Sequence, residues 1–285
     1  MKEKETIEYL DLKSLIPFRN HPFKLRDGDE KEQLLKSIKA QGTIEPLIVR
    51  SLSESEYEVI SGHRRLEICK ELGIEKLPAI VRNLTDEQAI SMMVDANMHR
   101  ENILPSERAF AYKMKWEAIR KQGQRTDLTL SQPATKYRSD ERIANEFGIG
   151  KDTLHRYIRL TYLISELLEM VDEGKISLTP AVELSYLTNE EQQALLNEIE
   201  YADATPSLSQ AQRLRNFSRQ GRINADVIFA VMSEEKANQK EQIRFPKEEL
   251  QKYFPKSYTD KDMQNTILKL LEKWQRQREK QRDER

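Results

Sequence analysis

The order of hydrophobic and polar residues divides the chain into a mixed first part and a helical remainder. Alternating apolar and polar residues, or short apolar runs, predict four strands. Amphipathic segments that close with Gly42 and Gly73 predict two helices among them. A polar, proline-containing loop is expected at residues 16–29, and the mixed part should end near Asn83. The predicted strands are at residues 7–12, 46–50, 57–61 and 77–83, and the predicted helices are at residues 30–42 and 62–73.

Beyond residue 83 the pattern is helical to about residue 220. Thr85 and Gln88 have the spacing of a capping box, and the helix that they open should extend to about His99. Pro105 suits the first position of the next helix, because a proline lacks the backbone N–H that would be unpaired there. A polar surface loop is expected at residues 122–139, a helix at 163–187 and a shorter helix at 207–220.

The last part of the chain has a different pattern. Residues 242–246 predict a short strand, and one long helix should begin at Lys261. Self-association through its apolar stripe and packing against the chain's own helices both fit the pattern. We expect an α+β fold: a small mixed α/β domain at residues 1–100, an all-helical domain at 101–222 and a mainly helical region at 223–285. The stripe consists of Met263, Ile267, Leu270, Leu271 and Trp274.

Composition narrows the class of protein. One third of the 285 residues are charged, yet the net charge is only −1, so any nucleic-acid binding must depend on local basic patches. The one cysteine, Cys69, cannot form an internal disulfide and is expected to be a small buried residue. The chain has no long apolar run and no secretion signal, which predicts a cytoplasmic protein.

Residues 139–160 have the pattern of a helix-turn-helix. Ile143 and Ala144 are followed by the turn residue Gly148 and then by Leu154 and Ile158 at helical spacing. The outward residues of the second helix would suit phosphates and base edges in a major groove, and arginines on the 207–220 helix could grip the backbone beside it. A helical hairpin with a solvated charged face is the alternative. The candidate DNA-binding residues are Lys151, Thr153, His155, Arg156, Arg159, Arg213 and Arg215.

Two further segments suggest an anion site. Residues 61–65 follow a strand and open a helix, where free N–H groups, Gly62 and the pair Arg64 and Arg65 favour phosphate. Asn97 and Arg100 lie at a helix end that could form a second wall. Surface salt bridges and an ordinary capped helix end would explain the same residues.

Taken in order, these motifs resemble the ParB/Noc family of CTP-dependent DNA clamps over roughly residues 5–220. Three family motifs precede the helix-turn-helix, namely G-x-x-x-P-apolar-x-V-R, G-E-R-R, and E-N-x-x-R with L-x-P-x-E-x-A. They are matched respectively by Gly42, Pro46, Leu47, Val49 and Arg50; by Gly62, His63, Arg64 and Arg65; and by Asn97, Arg100, Ile103, Pro105, Glu107 and Ala109.

The resemblance implies a homodimer that binds a specific site on double-stranded DNA and closes over it when CTP and Mg²⁺ bind. It places the loop around Pro46 against the base and Asn97 near the metal. It also implies a role in plasmid, mobile-element or chromosome segregation, association with the nucleoid or a plasmid, and a ParA-type ATPase as a partner. The implied nucleotide-binding residues are Pro46, Arg50, Gly62, His63, Arg64, Arg65, Asn97 and Arg100.

Departures from the family motifs keep alternatives open. His63 and Ala96 stand where the family has acidic residues that assist metal binding and hydrolysis, so CTPase activity is left open. A helix-turn-helix regulator that ignores nucleotide is the main alternative. A sulfiredoxin-like redox enzyme is disfavoured because no cysteine lies in the glycine-histidine-arginine motif. A nuclease is disfavoured because the histidines show no metal-ligand spacing.

Overall fold

The computed structural model describes residues 6–23, 28–42, 45–100, 102–126, 135–234, 250, 252–255 and 257–283. Contacts divide the chain into two units, residues 1–234 and 235–285. The first unit contains a small mixed sheet followed by a series of helices, and the second is mainly helical. The predicted α+β class is confirmed, and in the described residues the sheet lies in the first part of the chain.

Five strands form the sheet, in the order β1-β5-β3-β4-β2. β1 pairs antiparallel with β5, which pairs parallel with β3; β3 pairs antiparallel with β4, and β4 pairs parallel with β2. The strands are β1 (Ile7–Asp11), β2 (Leu15–Pro17), β3 (Leu47–Ser51), β4 (Tyr57–Ser61) and β5 (Lys76–Val81), with a 3₁₀ turn at Leu12–Ser14.

Three helices accompany this sheet: α1 (Asp29–Gln41), α2 (His63–Glu71) and α3 (Asp86–Met98). The side chains between α2 and the sheet are fully buried because the strands and the helix each present an apolar face to the other. Cys69 is part of this core with no exposed surface, as expected for a small buried residue. Burial raises the pKa of its thiol.

The four predicted strands and both predicted helices of this part are confirmed within two residues at each end. The prediction of an unbroken loop at residues 16–29 was wrong at its start, because Ile16 and Pro17 belong to β2. This strand has three residues and lies at a sheet edge, where a proline is tolerated. So short a strand leaves no alternating pattern in the sequence.

The helical part of the first unit begins with α4, whose first residue is Pro105 as predicted. The capping box of α3 is also confirmed, since Thr85 accepts from the N–H of Gln88 and the Gln88 side chain accepts from the N–H of Thr85. The helices are α4 (Pro105–Thr126), α5 (Thr135–Glu146), α6 (Lys151–Leu160), α7 (Ser165–Asp172), α8 (Leu178–Leu184), α9 (Asn189–Ala202), α10 (Leu208–Arg219) and α11 (Ala225–Met232).

Two predictions for this part were wrong. Helix α4 continues to residue 126 and α5 begins at residue 135, so the loop expected at 122–139 is helical at both ends. Helix α4 continues through Gly123, because polar residues and a single glycine weaken a helix without necessarily ending it. The helix expected at 163–187 is two helices, because Gly174 adopts a φ of 75° that ends the first of them.

The second unit contains the long helix α12 (Asp260–Asp283), which confirms the helix predicted from Lys261. Residues 242–246, where a strand was predicted, lie outside the described residues. Met263 is buried, whereas Leu270, Leu271 and Trp274 are more than half exposed. Within the described residues, none of the helices combines the length and the apolar character needed to cross a bilayer.

Candidate functional site

The start of α2 requires glycine. Gly62 links β4 to α2 with φ 103° and ψ 20°, in the left-handed region. A Cβ atom at this position would lie 2.4 Å from a methyl group of Leu47, so any side chain would also collide with β3. The turn therefore brings the backbone of α2's first residues close to the end of β3. The N–H groups of this first turn lack helical partners, which favours an anion in front of them.

His63, the first residue of α2, is buried and neutral. Its Nε2 accepts a hydrogen bond from the backbone N–H of Phe18 at 3.2 Å. Burial is the largest cause that lowers the pKa of His63 to about 3, and the nearby His21 and Arg100 lower it further. The imidazole at the start of α2 therefore carries no charge near neutral pH.

A cavity of about 180 Å³ lies beside α2, and His63 is one of the residues that line it. The ring of His21 packs against that of His63, with the two centroids 4.0 Å apart. Arg100 lies over the ring of Phe23, with the guanidinium carbon 5.7 Å from the centroid. The structure thus brings Arg100 near His63, and their role as two walls of a nucleotide site stays a prediction. The cavity is lined by Pro17, His21, Phe23, His63, Leu66, Glu67 and Lys70.

Asn97 faces the protein interior in this arrangement. Its side chain is buried, and its amide Nδ2 donates a hydrogen bond of 2.7 Å to the carbonyl of Met93 one turn earlier in α3. The described residues contain no group of three or more histidine, cysteine, aspartate or glutamate side chains suited to a metal ion.

Arg65 lies on the other flank of α2. Its guanidinium donates to the backbone carbonyls of Glu45 and Pro46, in the segment that leads into β3. Arg64, its neighbour, is half-buried. The structure therefore connects Arg65 to the Pro46 segment.

Arg50 has a separate environment. Its guanidinium forms ion pairs at 2.6 Å with Glu58 of β4 and with Asp86 at the start of α3, and its side chain is only 11% exposed. Arg50 is paired in register with Glu58, toward the opposite end of the β3–β4 ladder from Ser61. The structure therefore does not bring Arg50 together with the start of α2.

The predicted helix-turn-helix is present as α5, a turn and α6. Gly148 in the turn has φ 64°, which permits the sharp change of direction. Ile143 and Ala144 of α5, and Leu154 and Ile158 of α6, are buried against one another and against α4. The apolar residues named from sequence thus hold the two helices together, and α6 presents its other side outward.

The outward side chains of α6 are individually anchored. His155 Nε2 lies 3.0 Å from a carboxylate oxygen of the buried Asp140, whose other oxygen accepts from Trp116 at 2.5 Å. Arg156 donates a hydrogen bond of 2.5 Å to the hydroxyl of Thr179. Lys151 and Thr153 at the start of α6 are half-buried. These contacts restrict where the basic groups can point.

Arg159 is held by the turn between α8 and α9. It donates to the hydroxyl of Ser185 at 3.1 Å and to its carbonyl at 2.6 Å, and its guanidinium carbon lies 3.9 Å from the ring centroid of Tyr186. The guanidinium carbon of Arg215 from α10 lies 3.7 Å from the same ring, and Arg215 also pairs with Glu183. The structure therefore brings Arg159 and Arg215 together around one tyrosine.

Arg213 is directed elsewhere. Two residues along an α-helix are about 200° apart around its axis, so Arg213 and Arg215 occupy different faces of α10. Arg213 forms an ion pair with Glu234, just beyond α11. A groove of about 350 Å³ beside α6 is lined by His155, Arg156 and Arg159 but not by Arg213.

Comparison with known protein families identifies a domain in the first third of the chain. Residues 1–98 match the ParB N-terminal domain. The chain contains a ParB N-terminal domain. The nucleoid occlusion protein of Lysinibacillus sphaericus is 32% identical over 173 residues, which are 61% of this chain and 52% of that protein. The nucleoid occlusion protein of Geobacillus thermodenitrificans is 31% identical over 199 residues, which are 70% of this chain and 65% of that protein. The chain thus spans between half and two thirds of the length of these relatives.

Similar solved structures share less sequence identity with this chain. C-terminally truncated ParB from Caulobacter crescentus in complex with the centromeric parS site is 20% identical, and the match covers 75% of this chain and 99% of that one with a TM-score of 0.41. The same truncated protein complexed with CTP-γ-S is 19% identical, with coverages of 73% and 98% and a TM-score of 0.31. At these TM-scores the superpositions do not bear on function.

His21 is the residue of the ParB N-terminal domain that sequence reasoning missed. It is far from His63 in the chain and belongs to none of the motifs, so neither spacing nor pattern identified it. The parallel pairing of β2 with β4 carries the loop after β2 to the end of β4, and this places the two imidazoles in contact. Only knowledge of β2, which was itself missed, would have indicated this pair.

Proposed function

We propose that the protein is a CTP-regulated, sequence-specific DNA clamp of the ParB type that serves the segregation of a plasmid, mobile element or chromosome. The main support for the proposal is that one compact unit contains both a candidate anion site and a helix-turn-helix. The first turn of α2, within a ParB N-terminal domain, lies beside Arg100, and a helix-turn-helix follows in the same unit.

For the nucleotide, we assign the polyphosphate to the first turn of α2. The N–H groups there favour anions, Gly62 leaves room for close approach, and Arg64 and Arg65 supply forked donors. Arg65 already points at the carbonyls of Glu45 and Pro46, so a phosphate would exchange those contacts for charge-assisted ones. The Pro46 segment is then the wall for the base, and Arg100 is the opposite wall.

For the metal, the donor set of the domain fits Mg²⁺ carried largely by phosphate oxygens and water, as is usual for this ion. Asn97 would join it through Oδ1, because its Nδ2 donates to the carbonyl of Met93. The neutral His63 and the methyl group of Ala96 add no negative charge, so we propose nucleotide binding as the regulated step and leave CTP hydrolysis to experiment. Arg50 acts indirectly, by joining β3 to β4 and α3.

For DNA, we assign α6 to the major groove, with Lys151, Thr153, His155 and Arg156 directed at phosphates and base edges. Arg159 and Arg215, fixed around Tyr186, would contact the backbone beside it. Arg213 faces another direction, and its contact with DNA would require loss of its ion pair.

For partners, we propose double-stranded DNA with a specific site, a second copy of the chain and a ParA-type ATPase. The similarity to nucleoid occlusion proteins supports a nucleoid- or plasmid-associated role. The exposed Leu270, Leu271 and Trp274 of α12 are candidates for self-association. Light scattering of a chain truncated before Lys261 tests this part.

The decisive experiment measures retention on closed circular DNA that carries the selected binding site, with and without CTP. A clamp accumulates beyond one dimer per site only when CTP is present. Arg65→Ala should lose CTP binding and accumulation yet keep site-specific binding. Arg156→Ala should lose site-specific binding, by about 1–3 kcal/mol if it reads a base. The exposed Arg222→Ala serves as the matched control.

Equal DNA occupancy with and without CTP would contradict the clamp and favour the nucleotide-independent regulator. Wild-type CTP binding by Arg65→Ala would remove that arginine from the site. Absence of any preference among DNA fragments would contradict the assignment of α6.

A further inference from the structure

An imidazole with an unused nitrogen lines the cavity beside α2. His21 Nδ1 lies 2.9 Å from the carbonyl oxygen of Phe23. Because a carbonyl oxygen only accepts hydrogen bonds, Nδ1 carries the ring proton and Nε2 carries a lone pair. This Nε2 is buried and has no hydrogen-bond partner in the part of the chain that the structure describes. A buried acceptor without a donor is unfavourable, so this position favours the arrival of a donor or a proton.

The neighbouring imidazole cannot accept that proton as readily. His63 Nε2 accepts from the N–H of Phe18, and its ring also hydrogen-bonds to the backbone of Val59. A proton on Nε2 would therefore oppose the N–H group of Phe18. Of the two histidines, His21 is therefore the one whose Nε2 lone pair is available to a proton.

Several charged groups face His21. Arg100 at the end of α3 disfavours its protonation and Glu107 at the start of α4 favours it, while the tilted ring of His63 packs against it. Glu67 and Lys70 of α2 line the same cavity and carry opposite charges. Burial is the largest cause that lowers the pKa of His21, and the hydrogen bond with Phe23 raises it in part. An anion beside Arg100 would reverse the local potential and favour the imidazolium form.

We infer that His21 is a further residue of the nucleotide site and that its imidazole takes up one proton as the polyphosphate of a nucleotide binds beside it. The inference rests on the proposed function and adds to it a dependence of affinity on pH. His21 is not part of the motifs that define the phosphate contacts, and its contribution comes from geometry that β2 creates.

The direction of the effect follows from linkage. The complex holds more protons than the free protein, so affinity for the nucleotide rises as pH falls through the interval between the two His21 pKa values. The free-state pKa lies below the ordinary imidazole value of 6.5, so the lower end of this interval lies below pH 6.5. One proton tightens binding by at most tenfold per pH unit.

The test is calorimetric titration of the full chain with CTP at pH 8.0 and pH 6.0, in two buffers of different ionisation enthalpy. We expect wild type to bind several-fold more tightly at pH 6.0 and to take up close to one proton. His21→Asn retains an amide that can donate to the Phe23 carbonyl but has no titrating nitrogen. It should keep its affinity at pH 8.0 within about threefold and lose the proton uptake.

Two controls isolate the histidine. The terminal phosphate of CTP also titrates near pH 6, but it does so equally for both proteins, so the difference between their profiles belongs to His21. His99→Asn removes an exposed histidine at the end of α3 and should retain the wild-type profile. In wild type itself, the imidazole carbon resonance of His21 should move toward the protonated position when CTP is added at pH 6.0.

The outcomes separate the two proposals. Identical pH profiles for wild type and His21→Asn, or an unmoved His21 resonance, would overturn the inference and leave CTP binding intact. Loss of binding by folded His21→Asn at pH 8.0 would also contradict it, because the neutral ring would then be essential. If wild type binds no CTP at either pH, the proposed function itself fails.

Discussion

Lys115 of α4 offers a quantitative test of the packing around the helix-turn-helix. Its side chain is 1% exposed, and its ammonium group pairs with Asp95 of α3 and, at 2.7 Å, with Glu146 of α5. The same group lies 4.7 Å from the ring centroid of Phe147. One buried lysine thus connects the last helix of the ParB N-terminal domain to the first helix of the helix-turn-helix.

Two substitutions separate the contribution of the apolar stem of Lys115 from that of its charge. Lys115→Ala removes three buried methylene groups, at about 0.8 kcal/mol each, and the charge between the two carboxylates. Because both carboxylates are 41% exposed and can be rehydrated, we expect a total loss of about 3–4 kcal/mol. Lys115→Met keeps the apolar stem and should lose only about 1–2 kcal/mol.

Urea unfolding followed by far-ultraviolet circular dichroism measures these losses. The exposed Lys121→Met on the same helix is the control and should change the free energy of unfolding by less than about 0.5 kcal/mol. Equal losses for the alanine and methionine variants would show that ion pairing, not stem packing, dominates. Losses below about 1 kcal/mol in both variants would refute the reasoning from burial.

Three further substitutions, the first with a comparison variant, test local contacts by thermal or urea unfolding. Gly62→Ala should destabilise by about 2–4 kcal/mol, from left-handed strain plus collision with β3, whereas Gly221→Ala, with a φ of 64° and open space around it, should cost only about 1–2 kcal/mol. Gln192→Leu should cost about 3 kcal/mol or more, because it removes three hydrogen bonds to buried backbone groups; a smaller loss would mean that water replaces them. Asp172→Asn should cost about 1–2 kcal/mol through weaker bonds to the N–H and hydroxyl of Ser106 at the start of α4, and an unchanged midpoint would exclude this capping role.

The features that sequence predicted well depend on neighbours in the chain. The capping box of Thr85 and Gln88 and the turn at Gly148 each depend on residues within a few positions of one another. The helix expected at 163–187 failed for a local reason too, since the left-handed conformation of Gly174 was not recognised as a stop.

The features that sequence missed depend on pairing between distant segments. The contact of His21 with His63 requires the parallel pairing of β2 with β4. Arg159 was expected to face outward from α6, but Tyr186 and its neighbouring turn fold against it. A helical pattern gives the direction of a side chain relative to its own helix and does not reveal which later segment will cover it.

The two edges of the sheet differ in whether another strand can join them. β2 is three residues long and ends in Pro17, which has no N–H to donate to an additional strand. β1 is five residues long and leaves Ile7 and Tyr9 more than half exposed. A strand from another molecule can therefore pair with the edge of the sheet at β1, whereas pairing at β2 is blocked. Of this sheet's two edges, ordered assembly, or aggregation at high concentration, can start only from β1.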